Sequence, residues 1–567
     1  MSENDNKFDR RQFLQGGLIA GGSFLTPTPV ERLLNLMTEG FIKKAHAETV
    51  GALGVRNYVN VMMVGAPYRY AFDHWIRTNS NEAVPEFNPM VSTKYVESGG
   101  RAVGVQYATI EADNKVLVPH MFSHNVTTSA NPNRPLKDLL SNMMVIRGYG
   151  TGLDGHPFNA SAQQTPVGGV ASIGGLAADN SSKTFEAIQW PDRGDFGNYV
   201  SLQGKALNKL SGSPLVNLMQ GFGAPQGGRV AGRDVKSRNR AAYELAQARL
   251  GAYAKSDRSG ASIVKKNLAN ASALMKKGVS DIDSYWPGAV ARYQNVILKS
   301  MRDTGTGNLP GISNLALLSS EDAMWKLHVA SGNRGLVLSK DFDLRNSLGS
   351  IAAPAAWAES LALTEYVLTR GLVTSIDIQM GETSGLTLGE KGIAGTAAHH
   401  LIHDMHESGA MAGLFYTTAF FRGFAAGLLE LIDRLKTVQV NGKDIWSETV
   451  VQLMSDFGRS ARTNGSGSDH GFFQMITSVY SGAIKNGPFV VGNIKRAGMN
   501  ASYSGTQGIG AAIDDYNQKG MPTPTMAAST VAALLRVPKN PYENLAASLV
   551  DFNGDQLRVL RTAKIVG

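Results

Sequence analysis

Thr449-Val450-Val451-Gln452-Leu453-Met454 runs directly into Ser455-Asp456-Phe457-Gly458-Arg459. A short run of β-branched and apolar residues that stops at a small, acidic, glycine-containing turn reads as a buried strand. Such a strand delivers a carboxylate and a guanidinium at its carboxyl end. Three other stretches have the same form. Tyr58–Val64 (YVNVMMV) is followed at once by Gly65-Ala66-Pro67, Met143–Arg147 enters the glycine-rich loop 148–155, and Leu372–Gln379 precedes a long Gly-rich insertion. Helical patterns lie between them at Arg240–Tyr253, Ile263–Lys277, Ala355–Thr369 and Gly413–Lys436. Strands alternating with helices predict an α/β fold, a mainly parallel sheet sandwiched by helices, with function gathered at the carboxyl ends of the strands. The glycines form neither GxGxxG after a strand nor a P-loop, so nucleotide binding has no support.

Composition narrows the class further. With 43% hydrophobic and 18% charged residues in 567, the chain can bury a large core. The absence of cysteine excludes disulfide scaffolds, cysteine-bound zinc, iron–sulfur clusters and thiol nucleophiles. The net charge of +9 is local: residues 229–277 hold twelve Lys/Arg against three Asp/Glu, which accounts for the whole excess. That segment reads as a basic helical insertion, 229–300, and no nucleic-acid module accompanies it, so no nucleic acid is expected. It reads either as a solvated helical cap, or as a patch for peripheral contact with an anionic membrane, glycan or lipid surface or for attracting an anionic substrate.

The amino terminus reads as a targeting segment. Asp9-Arg10-Arg11-Gln12-Phe13-Leu14 is followed by a mildly apolar run, Gly17–Leu25, too short to span a bilayer. It resembles a twin-arginine (Tat) signal, and Ala45-His46-Ala47 has the small-x-small form of a cleavage site. Residues 1–47 are thus expected to be a signal peptide recognised by the Tat translocase and cleaved near Ala47. Residues 48–567 would then form a periplasmic or secreted domain.

Four groups of chemistry-bearing residues follow the predicted strands: Asp73-His74, His156 in Gly-Leu-Asp-Gly-His-Pro, His403-Asp404-Met405-His406, and Asp456 with Arg459, Asp469 and His470. Carboxylates and imidazoles at one sheet edge can hold one or two divalent cations, and without cysteine they suit Zn, Mn, Mg or Ca. Two such ions would clamp both oxygens of a phosphoryl or sulfuryl transfer. The metal-ligand candidates are Asp73, Asp404, His406, Asp456, Asp469 and His470. His156 is a candidate nucleophile, acid or additional ligand, and Arg459 either binds an anionic oxygen or pairs with a carboxylate. A helix over 399–406 would also place His399, His403 and His406 on one face, leaving His399 and Asp404 as alternative partners of His406.

These motifs together resemble a large family of Tat-exported bacterial proteins of unknown function, placed in the alkaline phosphatase/sulfatase-like superfamily. Members carry a strand ending Gly-Gly-Pro-Ser-x-x-Asp-Thr-Phe/Trp, matched loosely by Gly65-Ala66-Pro67 and Asp73-His74-Trp75. They continue with an Ile-Arg-Ser segment and a His-containing loop, for which Val145-Ile146-Arg147-Gly148 and His156 stand here. Asp-Thr-His corresponds to Asp404-Met405-His406. Ser-Glu-Phe-Gly-Arg and Gly-Thr-Asp-His-Gly correspond to Ser455–Arg459 and Gly467–Gly471, with Asp456 replacing Glu. The resemblance implies an alkaline-phosphatase-like fold and an exported metal-dependent hydrolase of phosphate or sulfate esters. The alternative is a catalytically inactive envelope binding or structural protein on the same fold. In hydrolytic relatives a hydroxyl or modified Cys nucleophile follows the second strand; here Thr151, Ser161 and Thr165 are the nearby hydroxyls.

Overall fold

The computed structural model describes residues 54–77, 89–98, 101–181, 183, 185–191, 196–205, 207–210, 255, 284–302, 351–383, 387–388, 399–400, 403–406, 410–440, 442–462, 467–495, 506–507, 509–511, 522–553 and 556–559. The expected signal peptide 1–47 and the basic segment 229–277, Lys255 excepted, lie outside them. The chain divides into two units, and the one comprising 47–214 and 276–567 holds every described residue but Lys255.

Eight strands make its central sheet: β1 (Asn57–Met63), β2 (Met143–Tyr149), β3 (Phe185–Trp190), β4 (Leu207–Lys209), β5 (Val373–Met380), β6 (Thr449–Ser455), β7 (Met475–Ser481) and β8 (Phe489–Val491). Their order is β4-β3-β5-β1-β6-β7-β2-β8. All neighbours pair in parallel except around β7, which runs antiparallel to both β6 and β2. The expected mainly parallel α/β sheet is therefore present, and all four strands anticipated from the sequence lie in it.

Alternation along each strand explains why the sheet is covered on both sides. Tyr58 and Val450 face one way and pack with Ile173, Leu176, Val531 and Ala532. Those residues come from α2 (Ile173–Asp179) and α6 (Pro524–Leu534), while α1 (His156–Gln164) places Ala160 against Met62 and Met454. Val59, Val61, Ile376, Ile378 and Leu453 point the other way and are equally buried. A helix over 284–302, α3, joins α4 (Trp357–Thr369) and α5 (Ala410–Lys436) in a second helical group. Gly423 and Gly427 of α5 permit that packing: a Cβ on Gly423 would lie 2.5 Å from Met301 Cγ, and one on Gly427 2.6 Å from Leu361 Cδ1. Tyr293, Ile297 and Met301 are fully buried, so the helix over 284–302 is part of the core. Among the described residues no helix is long and apolar enough to cross a membrane.

Candidate metal centre

The carboxyl ends of the parallel strands, and the start of antiparallel β7, share one sheet edge. Asp456 and Arg459 leave β6 there, Gly65 and Ala66 leave β1, the loop after β2 leads to His156 at the first position of α1, and Asp469-His470 precede β7. Asp404 and His406 lie in the segment 403–406 after β5.

Two glycines lock the hallmark motifs together. A Cβ on Gly458 would sit 1.8 Å from Gln474 O, and one on Gly471 2.6 Å from Arg459 N, so both chains approach closer than any side chain allows. Arg459 itself is fully buried and adopts φ +58°, an uncommon conformation for a residue with a side chain. Its carbonyl is fastened by Tyr70 Oη at 2.6 Å and Gln474 Nε2 at 2.5 Å. Residues 460–461 pair antiparallel with 468–469, which presents Asp469 and His470 at the edge.

Three imidazoles converge in the same sense. His156 Nδ1 donates to Asp456 Oδ2 at 2.6 Å, and His470 Nδ1 donates to Asp154 Oδ1 at 2.6 Å. His406 turns Nδ1 toward Asp469 Oδ1, 3.9 Å away. The opposite nitrogens face each other and Asp404: His406 Nε2 lies 3.1 Å from His470 Nε2 and 3.1 Å from Asp404 Oδ1, and His156 Nε2 lies 3.6 Å from Asp404 Oδ2. Ligand atoms of His156, Asp404 and His470 all fall within 4.8 Å of one another. A histidine that gives one N–H to a carboxylate and aims the other nitrogen at a shared point is the usual arrangement of a metal ligand. Two nitrogens on one tetrahedral zinc are roughly 3.3 Å apart, given bonds of about 2.0–2.1 Å, close to the His406–His470 approach.

Asp456 adds a second sign of fit. It is fully buried, its Oδ2 also accepts from Gly65 N at 3.0 Å, and its Oδ1 has no hydrogen-bond partner among the described residues. A buried carboxylate with one bare oxygen needs positive charge nearby. Without a cation that charge is on His156: burial opposes it, but the carboxylates of Asp404 and Asp456 beside it push its pKa up to about 9. His406 is raised too, chiefly by the neighbouring carboxylates of Asp404 and Asp469. His470 is lowered by burial and by the charges of Arg459, His406 and His156, with Asp154 opposing. The Asp404 carboxyl, although burial works against it, is held well below the usual range by His156, His406 and Arg459.

The remaining expected residues are placed differently. Asp73 is a buried partner of Arg69, joined at 2.9 and 2.5 Å, and also accepts from Ser478 Oγ at 2.7 Å. Its oxygens are spent on holding the chain beneath the sheet edge, and the structure gives it no contact with the imidazoles. Asp456 and Asp469 orient histidines rather than enter the inner set; Asp469 is moreover held by Arg462 at 2.8 Å, and the pair with His406 and Arg462 outweighs burial to bring its pKa down to about 2. Arg459 pairs with Asp404 and donates to Gly65 O and Ala66 O, the second of its two expected roles. The helix considered over 399–406 does not form: 399–400 pair as a strand with 387–388, and His403 is buried, donating from Nδ1 to Val64 O at 2.8 Å. Asp154, which nothing in the sequence singles out, completes the set through its bond to His470. Thr151 Oγ1 bonds Asn159 Oδ1, and Ser161 Oγ accepts from Asn198 at 2.7 Å, so neither hydroxyl addresses His156.

No protein-family model, no curated protein and no solved structure matches this chain significantly.

Proposed function

We propose that this chain is a metal-dependent hydrolase of phosphate or sulfate esters on an alkaline-phosphatase-like variant of the α/β fold. The observation that carries the reading is the convergence of His156, His406 and His470: each turns Nδ1 toward an aspartate, Nε2 of His156 and of His406 lies beside Asp404, and Nε2 of His470 lies beside Nε2 of His406. These three imidazoles and Asp404 would hold one divalent cation. Three nitrogens and one carboxylate suit zinc or manganese, whereas magnesium and calcium favour oxygen-rich shells. When bound, such a cation supplies Lewis acidity, stabilising charge on an ester oxygen and lowering the pKa of water.

The protein's own groups prepare the site. Asp456 and Asp154 fix the tautomers of His156 and His470, leaving each Nε2 as a lone-pair donor. Arg459 holds Asp404 Oδ1 so that Oδ2 faces His156. Asp404 and His406 are 36% and 37% exposed at their side chains, which leaves the centre open to an anionic ester from solvent. With Thr151 and Ser161 engaged elsewhere and Thr165 Oγ1 buried away from solvent, water is the nucleophile: its oxygen joins phosphorus or sulfur, the ester bond breaks, and a proton goes to the departing oxygen. The twin-arginine segment supports export through the Tat translocase to the periplasm or beyond, and the basic segment supports contact with an anionic envelope surface.

A second reading, a non-catalytic envelope binding protein that keeps the cation, is favoured by the commitment of Arg459 to Asp404, which leaves that guanidinium unavailable to a substrate oxygen. Elemental analysis of the exported, mature protein tests the common ground. About one zinc or manganese per chain is expected, lost in His156→Ala and His470→Ala; a metal-free protein overturns both readings. On metal-loaded protein, turnover of any phosphate monoester, phosphate diester or sulfate ester supports the hydrolase, and inertness toward all three leaves the binding protein.

A further inference from the structure

Large apolar side chains exposed among the described residues are few: Leu153, Phe158, Leu202, Val440, Phe473 and Leu545. Single exposed apolar residues are ordinary, but a group of them beside a polar centre marks a binding surface. Three of the six gather on one loop, 150–155, between β2 and His156. Phe158 lies over one end of it, with Cδ2 2.8 Å from the position of a Cβ on Gly155. Phe473 lies over the other end, with Cδ1 3.0 Å from a Cβ on Gly150. Leu153 stands between them, next to Asp154, whose carboxylate holds His470. Phe158, Phe473 and Leu153 are 67%, 37% and 41% exposed, although the Phe473 ring also packs on Phe472, 4.7 Å between centroids.

We infer that Leu153, Phe158 and Phe473 form an apolar rim that binds the uncharged part of the substrate. The substrate is then an amphiphile: its anionic head enters the histidine cluster while an aryl or alkyl group lies across the 150–155 loop. Charge complementarity points to this occupant, since Asp154 is the only charged residue in 149–155, 157–160 or 471–474, and its charge is turned to His470. The inference rests on the hydrolase reading and names the ester class it acts on.

Phosphonates, which are not hydrolysed, test it independently of turnover. Calorimetry on the metal-loaded mature protein should show phenylphosphonate binding about tenfold or more tighter than methylphosphonate, as expected for burying a ring. In the double variant Phe158→Ser with Phe473→Ser that ratio should fall toward one at unchanged metal content. Val440→Ser, in a hairpin leading to the opposite end of β6, should keep it. Equal affinities in the unaltered protein, or a ratio that survives the double variant, overturn the rim and leave the hydrolase reading standing. Failure of both phosphonates to bind metal-loaded protein overturns the hydrolase reading and the rim with it.

Discussion

Asp456 shows how much of the centre depends on a single side chain. It is wholly buried, yet its task is to hold the charge and orientation of His156, with Gly65 N as the second donor. Asp456→Asn preserves shape and removes charge, so metal affinity, measured by competition with a chelator, should fall about 10–100-fold, the usual effect of losing such a partner. Asp154→Asn acts on a half-exposed carboxylate and should cost less; an unchanged affinity in Asp456→Asn would remove the residue from the centre. At this scale the sequence was readable where a residue follows a strand directly. Asp456 is visible for that reason, His156 because it lies in the loop after β2, and Asp404, His406 and His470 through the short motifs that contain them. Asp154 is not, because its partner His470 is 316 residues away and only the fold brings them together. Asp73 misled for the opposite reason: a carboxylate beyond a strand end looks the same in sequence whether it meets a cation or, as here, a buried arginine four residues back.

Among elements, the join between β6 and β7 carries the strictest steric demand. Gly458→Ala would drive a Cβ into the Gln474 carbonyl, and Gly471→Ala would drive one into the Arg459 backbone. Each should lower stability by several times the cost of Gly152→Ala, where φ is +69° but nothing lies within 4 Å of the added Cβ. For Gly152→Ala about 1–2 kcal/mol is reasonable, the strain of a left-handed alanine alone. Denaturant midpoints of the three variants would rank them, and equal midpoints would mean that the backbone approach is not tight. The same close approach explains why Phe-Gly-Arg and Asp-His-Gly stand out as motifs: their glycines fit each other's strands. Long apolar strands and the helices at 355–369 and 413–436 were legible from period and composition. β3, β4 and β8 were missed as short strands toward the sheet edges, and β7 because its Thr and Ser residues dilute an alternation that the buried sheet tolerates through hydrogen bonds such as Gln452 Nε2 to Thr477 Oγ1 at 3.0 Å.

The stability of the whole molecule depends on pH through one histidine outside the centre and one within it. His124 is buried, and its pKa is pushed down to about 2, first by burial and then by Arg422 and His120. In the unfolded chain the same ring takes a proton near 6.5, so between these values the unfolded state binds more protons. Stability is therefore complete above pH about 6.5 and falls as pH drops, by at most about 1.4 kcal/mol per unit from this residue. Metal-free His156 has the opposite sign: with a folded pKa of about 9, its contribution is full below the unfolded value and is lost as pH rises through about 9. Denaturation at pH 7, 6 and 5 should show a shallower acid loss for His124→Gln than for the unaltered protein; identical slopes would contradict this. The reversed direction of β7 has a further consequence. Because β6 ends and β7 begins at the same edge, Arg459 meets Gln474 only 15 residues on. His156 and Asp456, by contrast, are 300 residues apart. Closing the longer loop costs about 2–3 kcal/mol more in chain entropy. Half of the cluster is thus a local hairpin, and the other half is recruited across more than half of the chain. A cation joining the two would be a reversible cross-link, fastening distant parts of the polypeptide in a protein that has no cysteine with which to do so.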